Sequence, residues 1–391
     1  GIAREDAQIM PEHRLSRRSV GAAMAAAAVP RFAGAASAPI RRERDRRTGR
    51  EVWQITEGGA ISHSCYFEAQ PFTLDDRHLV YCSNREGAYQ LYAVELKTGG
   101  TRRLTRCRRL SNLSFSIDPG GRDVIYLDGS ELWRATVATG AGALIADLAA
   151  LAPEAGSFSA GRTFSRDGRY TPVGYSMGGA TVIALLNLET AKIEKTVEVK
   201  GGTGGHTLMC PADPHLVTFV RSPDEQNNME LPMERRARTM IADLRTGAVR
   251  PFLTMPYGWR ATHEYWDSAG ERFYFHRKKI PGWVPASICS MKRDGSDWRT
   301  HFTSGTLMLG HSMISHDGRF LVSDVQKPDD NPLVFVDLAS GRHEILCWPD
   351  SSVREGHAKQ AHVHPSISRS GKYVAYTSDR TGTAQVYVVP L

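Results

Sequence analysis

After its first forty residues the chain has no apolar run long enough to cross a bilayer, so no membrane span is expected in the mature chain. Helical periodicity of any length is missing as well, and with it the strand–helix alternation that an α/β fold needs. Six cysteines are present, at 65, 82, 107, 210, 289 and 347, yet no two are spaced as a metal knuckle or a redox pair. They read as small buried hydrophobes, and the sequence does not pair them. Charge of neither sign dominates: the net value of +7 on 391 residues suits an acidic ligand without demanding one. Basic residues do not interleave with aromatics as a nucleic-acid groove would require, which argues against nucleic acid as a partner. What the chain does have is turn formers, 36 glycines and 20 prolines, in an otherwise ordinary composition of 41% apolar and 23% charged residues.

Residues 1–38 read as an export signal. Ser16-Arg17-Arg18-Ser19 precedes an Ala-rich, mildly apolar stretch from Val20 to Val29, and small residues end in Ala36-Ser37-Ala38. The paired arginines and low hydrophobicity suggest the twin-arginine route, although the usual Phe-Leu-Lys after them is absent. Pro39 is a poor neighbour for a cut after Ala38, so cleavage after Ala35 is the alternative. A periplasmic or secreted protein is expected, with residues 39–391 as one domain.

In that domain a unit recurs at the spacing of a propeller blade: strand, tight turn, second strand, loop, third strand, Gly turn, short fourth strand. The first turn falls at Asp75-Asp76, Gly120-Gly121, Asp167-Gly168, Asp213-Pro214, Ala269-Gly270, Asp317-Gly318 and Ser370-Gly371. An alternating apolar strand follows each: His78–Cys82, Val124–Leu127, Tyr170–Tyr175, Leu216–Val220, Arg272–His276, Phe320–Asp324 and Tyr373–Thr377. The last repeat stops after its third strand, Gln385–Val389, while Arg46–Thr56 has the pattern of a Gly turn plus fourth strand. The expected fold is therefore all-β, a seven-bladed β-propeller whose last blade is closed by the N-terminal strand.

Two motifs bear on chemistry. Gly174-Tyr175-Ser176-Met177-Gly178 fits the Gly-x-Ser-x-Gly nucleophile elbow, but it lies between two expected strands rather than before a helix, and hairpin glycines explain it better. The second pattern emerges when the repeats are aligned on their first turns. His206, His263, His311 and His364 then occupy nearly the same position at the start of the innermost strands of four successive blades, with His362 two residues before His364 on the same strand face. Innermost strands line the channel, so these side chains converge at one mouth. Neutral imidazole is the commonest metal ligand, and packed histidines with nothing to bind would leave ring nitrogens poorly satisfied. A divalent metal is expected, with Mn, Fe, Ni and Zn all compatible; a water-filled polar lining is the plainer alternative.

At these residues the sequence resembles the oligogalacturonate lyases of pectin breakdown. The resemblance rests on Tyr66-Phe67 with Phe72-Thr73, Gly205-His206, Thr262-His263-Glu264-Tyr265-Trp266, His311-Ser312-Met313, and His362-Val363-His364-Pro365 with Tyr376-Thr377-Ser378-Asp379, spanning residues 45–391. It implies a seven-bladed propeller that binds Mn²⁺ and cleaves short galacturonides, an acidic oligosaccharide substrate, by β-elimination. It implies His263, His362 and His364 as metal ligands and His206 as the base, with His311 as a further ligand or a substrate contact. The family glutamine three residues before the first histidine of the His-x-His pair is replaced by Lys359, leaving Gln360 one residue closer as its substitute. A channel glutamine of the first blade is replaced by Ala69, with Gln70 beside it. Arg221 and Arg238 are the arginines expected to pair with sugar carboxylates, and the insertion Pro223–Arg236 is expected to wall the cleft. The competing reading is a non-catalytic periplasmic propeller that binds a protein or glycan; the histidine ring argues against it, since a scaffold does not need one.

Overall fold

A computed structural model describes residues 39–201, 205–221, 230–328, 330–353 and 361–391. Residues 1–38, expected to be an export signal, and Gln360 with Lys359 lie outside the described residues, as does 223–229 of the insertion. The strands pair antiparallel into seven sheets arranged as the blades of a propeller, six with four strands and the last with five. The innermost strands, blade one to seven, are Ser62–His63, Leu110–Ile117, Phe158–Ser159, Leu208–Cys210, Trp259–Trp266, Leu309–Ile314 and Ser366–Ile367. Closure follows the sequence reading: Glu51–Gln54 pairs with Gln385–Pro390, Trp53 opposite Val388 and Gln54 opposite Tyr387. A fifth strand, Arg41–Arg44, then covers the outer edge.

Alternation along each strand places apolar side chains on both faces of every blade, and these meet their neighbours in seven separate cores, one per blade junction. The junction between the last blade and the first is built from Trp53, Phe72, Leu79, Tyr81 and Val388, so burial as well as hydrogen bonding seals the ring. All six cysteines are buried and free, four of them in the junctions of blades one with two and six with seven.

Two local expectations change. The first turn of blade four is not Asp213-Pro214: the strand runs Asp213–Val220, and Cys210 pairs with Asp213 around Pro211-Ala212. Proline is tolerated there because it lies near the strand's beginning. Among the described residues there is one short α-helix, Leu148–Leu151, started by Asp147, whose side chain accepts from the backbone N–H of Ala149, and one 3₁₀ turn, Met233–Arg236. No described helix is long and apolar enough to cross a membrane. Ser176 is exposed in the strand Tyr170–Met177, which turns through Gly178 and Gly179, at φ +57° and +81°, into Ala180–Asn187. This is a hairpin, not a strand feeding a helix, and the elbow reading fails on that geometry.

Candidate metal centre

The strand pairing that carries the sheets breaks where the histidines enter. In blade five Thr262 pairs with His276 and Tyr265 with Tyr274, so His263 and Glu264 together face one partner residue. In blade six the same two-against-one arrangement puts Gly310 and His311 opposite Asp324. Such bulges re-aim side chains and are common beside active sites. His206, His263 and His364 hold left-handed backbone, with φ of +52°, +53° and +44°, a conformation that costs a non-glycine residue of the order of 1–3 kcal/mol and persists where the surroundings enforce it. Blade six reaches the same end differently. A Cβ on Gly310 would overlap the Asp324 carboxylate, so only glycine allows that carboxylate to sit beneath the bulge.

His311, His362 and His364 each bring one ring nitrogen within 4.8 Å of the other two, and His311 and His364 are almost wholly buried. Asp324 organises them. Its carboxylate accepts from the His311 backbone N–H at 2.6 Å, lies 3.0 Å from His311 Nδ1, and accepts from the His364 backbone N–H at 3.2 Å. With Nδ1 held in this way, His311 is left with Nε2 to offer, the carboxylate–histidine arrangement that orients metal ligands. His364 Nε2 is buried with no hydrogen-bond partner among the described residues. Burial, reinforced by the neighbouring histidines, pushes His311 and His364 well below the usual imidazole value, so both are neutral near pH 7 and have lone pairs to give. The same burial pushes the Asp324 carboxyl up. These residues fit a divalent cation: three close imidazole nitrogens, one locked in tautomer and one otherwise orphaned.

His263 stands next to the group but is not part of it; its ring centroid is 4.1 Å from that of His311. Burial pushes it well below its ordinary value too, so its imidazole is also neutral. His206 packs by its ring 5.6 Å from Tyr66. Tyr66 and Phe67 belong to blade one, yet their loop crosses the channel: Tyr66 lies 4.7 Å from His364, and Phe67 lies 5.0 Å from His311 and joins the core between blades five and six. The next residue, Glu68, is buried against Arg162 of blade three at 3.0 Å. The loop floors the histidine mouth. Beyond it lies a cavity of about 330 Å³ lined by residues toward the turn ends of all seven blades.

The arginines divide. Arg238 donates through Nε and Nη2 to the two oxygens of Glu264 at 2.6 and 3.3 Å, and Thr239 Oγ1 donates to the same carboxylate at 3.0 Å. Burial pushes Glu264 up, but Arg238 outweighs it and the carboxyl ends below its usual range. The described contacts of Arg221 run to Arg235 and Met240 of its own blade. Gln70 is a stitch between blades, donating to the Ile367 carbonyl at 3.1 Å and accepting from Phe72 N at 2.9 Å, while Ala69 is packed in the core of blades one and two. Sequence reasoning missed Asp324, Lys278 and Arg260. Lys278 is buried, and burial pushes its ammonium down to about 7.

No family model matches the chain. Whole-chain comparison finds an oligogalacturonate lyase of Dickeya dadantii, 22% identical over 376 residues, covering 88% of this chain and 94% of the relative. An oligogalacturonide lyase of Pectobacterium atrosepticum is 22% identical over 379 residues with the same coverages. Among solved structures, an oligogalacturonate lyase in complex with manganese superposes with a TM-score of 0.78 at 20% identity, covering 90% of this chain and 96% of its own. One from Vibrio parahaemolyticus gives 0.75 at 19%, with the same coverages. Sequence similarity and fold thus converge on one group of proteins: over nearly its whole length this chain resembles the oligogalacturonate lyases.

Proposed function

We propose that the protein is a metal-dependent lyase that cleaves short oligogalacturonides by β-elimination. The observation that carries this reading is the largely buried group His311, His362 and His364 with Asp324 behind it, in a chain that over 90% of its length resembles a lyase solved in complex with manganese. The uronate C5 proton is weakly acidic, because the carbanion formed must delocalise into a carboxylate that is already negative. Those three histidines, with Gln360, two positions before His362 in the sequence, proposed as a further ligand, would hold Mn²⁺, and the ion would draw charge from the substrate carboxylate.

The proton then needs a neutral base beside that site. His263 and His206 are the two imidazoles left over, and the geometry favours His263, which is the nearer to His311 and is kept neutral by burial. His206, the base implied by resemblance, faces Tyr66 and takes a substrate-contact role in this assignment. General-base catalysis of this kind contributes about 10²–10⁴-fold. Arg238, whose guanidinium is held by Glu264, would pair with a sugar carboxylate in this reading. Export through the 1–38 segment remains part of the proposal, and the mass of the mature protein from the periplasm, cut after Ala35 or Ala38, tests it.

The deciding experiment follows the absorbance of the unsaturated uronate product with di- and trigalacturonate, in Mn²⁺ or EDTA, for the wild type, His263→Ala and His206→Ala. A metal-dependent rise that His263→Ala removes while Mn²⁺ binding survives supports both the reaction and the base. No rise with any divalent metal, on folded protein, overturns the lyase reading.

A further inference from the structure

Blade five carries a second cluster that this mechanism does not use. Arg260 and Lys278 stand directly opposite each other across the first strand pair, on the side of His263 away from the turn. Both lie over the indole of Trp283, at 5.6 and 5.7 Å from the ring centroid. Trp283 itself is held in left-handed backbone, φ +63°, a rare state for a bulky residue that marks a position enforced by its surroundings.

The charges here do not cancel. Glu264 is engaged by Arg238 and Thr239, and Asp324 by His311 and the His364 backbone. Among the described residues no carboxylate lies within ion-pair distance of Arg260 or Lys278. Lys278, 1% exposed, donates to the neutral Gln326 Oε1 at 3.3 Å, and Arg260 Nε is buried with no hydrogen-bond partner. Buried or half-buried cations without a counter-charge are costly, and folds keep them where a ligand supplies the missing anion. The nearby described carboxylates, Glu264 and Asp324, are thus committed to other partners, and among the described residues neither Arg260 nor Lys278 has an anion of its own.

We propose that Arg260 and Lys278, braced by Trp283, form a second carboxylate subsite that takes the uronate adjoining the residue cleaved at the histidine mouth. This rests on the lyase reading for its choice of ligand. It makes the protein selective for oligomers over the monomer, because one carboxylate goes to the histidine mouth and the next to Arg260.

The test measures KM and kcat on digalacturonate for the wild type, Arg260→Met, Arg260→Lys and Lys278→Met. Alongside, calorimetry records Mn²⁺ binding, and the binding of digalacturonate and galacturonate to metal-free protein. The expected result is a KM raised about 10–100-fold in Arg260→Met, as for loss of a charge-assisted pair, with kcat changed by less than about 3-fold and Mn²⁺ affinity unchanged. Arg260→Lys recovers part of the loss, and Lys278→Met shifts KM in the same direction. If the wild type turns nothing over but binds digalacturonate at least about 10-fold tighter than galacturonate, and Arg260→Met erases that preference, the subsite stands and the lyase reading falls. Wild-type KM in both Met variants overturns the subsite while leaving the lyase reading intact, as does a variant that loses Mn²⁺ binding and thermal stability together, which marks a merely structural role. Binding of neither sugar overturns both.

Discussion

The same innermost strands end in two very different ways. At the turn end, six blades repeat one device: the residue closing the strand accepts, through its carbonyl, the N–H of the residue three further on, as from Asp76 to Thr73, Gly168 to Ser165, Gly318 to Ser315 and Gly371 to Ser368. In several of them a side-chain hydroxyl bridges the turn as well, Ser165 to Asp167 at 2.6 Å and Ser315 to Asp317 at 2.7 Å, while accepting from Tyr170 N and Phe320 N. At the histidine end no single device is shared by all the blades. Left-handed histidines, a glycine bulge, a buried aspartate and a loop from across the channel each appear there. Regularity at one end sets the radius and register of the ring, and irregularity at the other uses that frame to hold costly groups in place.

If that division is right, the two ends respond differently to equally small changes. The largest effects belong to the ligands. His311→Ala and His364→Ala should each lower Mn²⁺ affinity by more than about 100-fold, since even loss of an outer-shell partner typically costs 10–100-fold, and turnover should fall with it. Asp324→Asn, which leaves all three histidines in place, should cost about 10–100-fold in Mn²⁺ affinity. Gly310→Ala should act in the same direction, because its methyl displaces the Asp324 carboxylate. The matching change at the other end is Gly318→Ala, where φ is +72° but a Cβ meets nothing within 4 Å. It should cost only about 1 kcal/mol in chemical denaturation, from backbone strain, and leave Mn²⁺ affinity untouched. Equal metal effects from the two glycine variants would erase the distinction.

The next effect is smaller and concerns pH. His63 and His276, both buried at the histidine end, are pushed down by burial to about 4 and about 3. Unfolded, each takes a proton near 6.5, so the unfolded state binds more protons in the window below that value. Their contribution to stability is complete above about pH 6.5 and is lost as pH falls toward the folded values. Between pH 7 and 5 each should remove up to about 2 kcal/mol, seen as a falling Tm of metal-free protein. His276→Gln should flatten that slope, and a pH-independent Tm would contradict the burial argument.

The sequence disclosed these two ends unequally. Turn residues repeat in every blade, so the ring, its closure by Glu51–Gln54 and the convergence of the histidines were all legible from spacing. In the sequence, Asp324 is the polar end of an alternating strand. In the structure Phe320–Val325 is buried throughout, and an aspartate within a fully buried strand demands partners; that was the signal available. Arg260 and Lys278 looked like two basic residues among 49, because nothing local reveals that they are cross-strand partners over Trp283. The crossing of Tyr66 and Phe67 to blades five and six was invisible for the same reason: the contact is across the channel, not along the chain.

The smallest expected effect tests where irregularity stops carrying function. Ser176 sits in the one motif that advertises nucleophilic chemistry, yet its surroundings are those of an ordinary hairpin. It is exposed, its strand pairs through to Met177 opposite Ala180, and its hydroxyl meets only that of Ser157, at 3.2 Å, among described hydrogen-bond partners. A nucleophile needs a base within reach and a strained turn into a helix that aims it, and neither is supplied there. Ser176→Ala should therefore leave turnover on digalacturonate unchanged and stability within about 0.5 kcal/mol. A large loss of turnover from this one exposed hydroxyl would move the chemistry out of the histidine mouth altogether, and the contrast between the two ends of the strands would then describe the fold without describing the site.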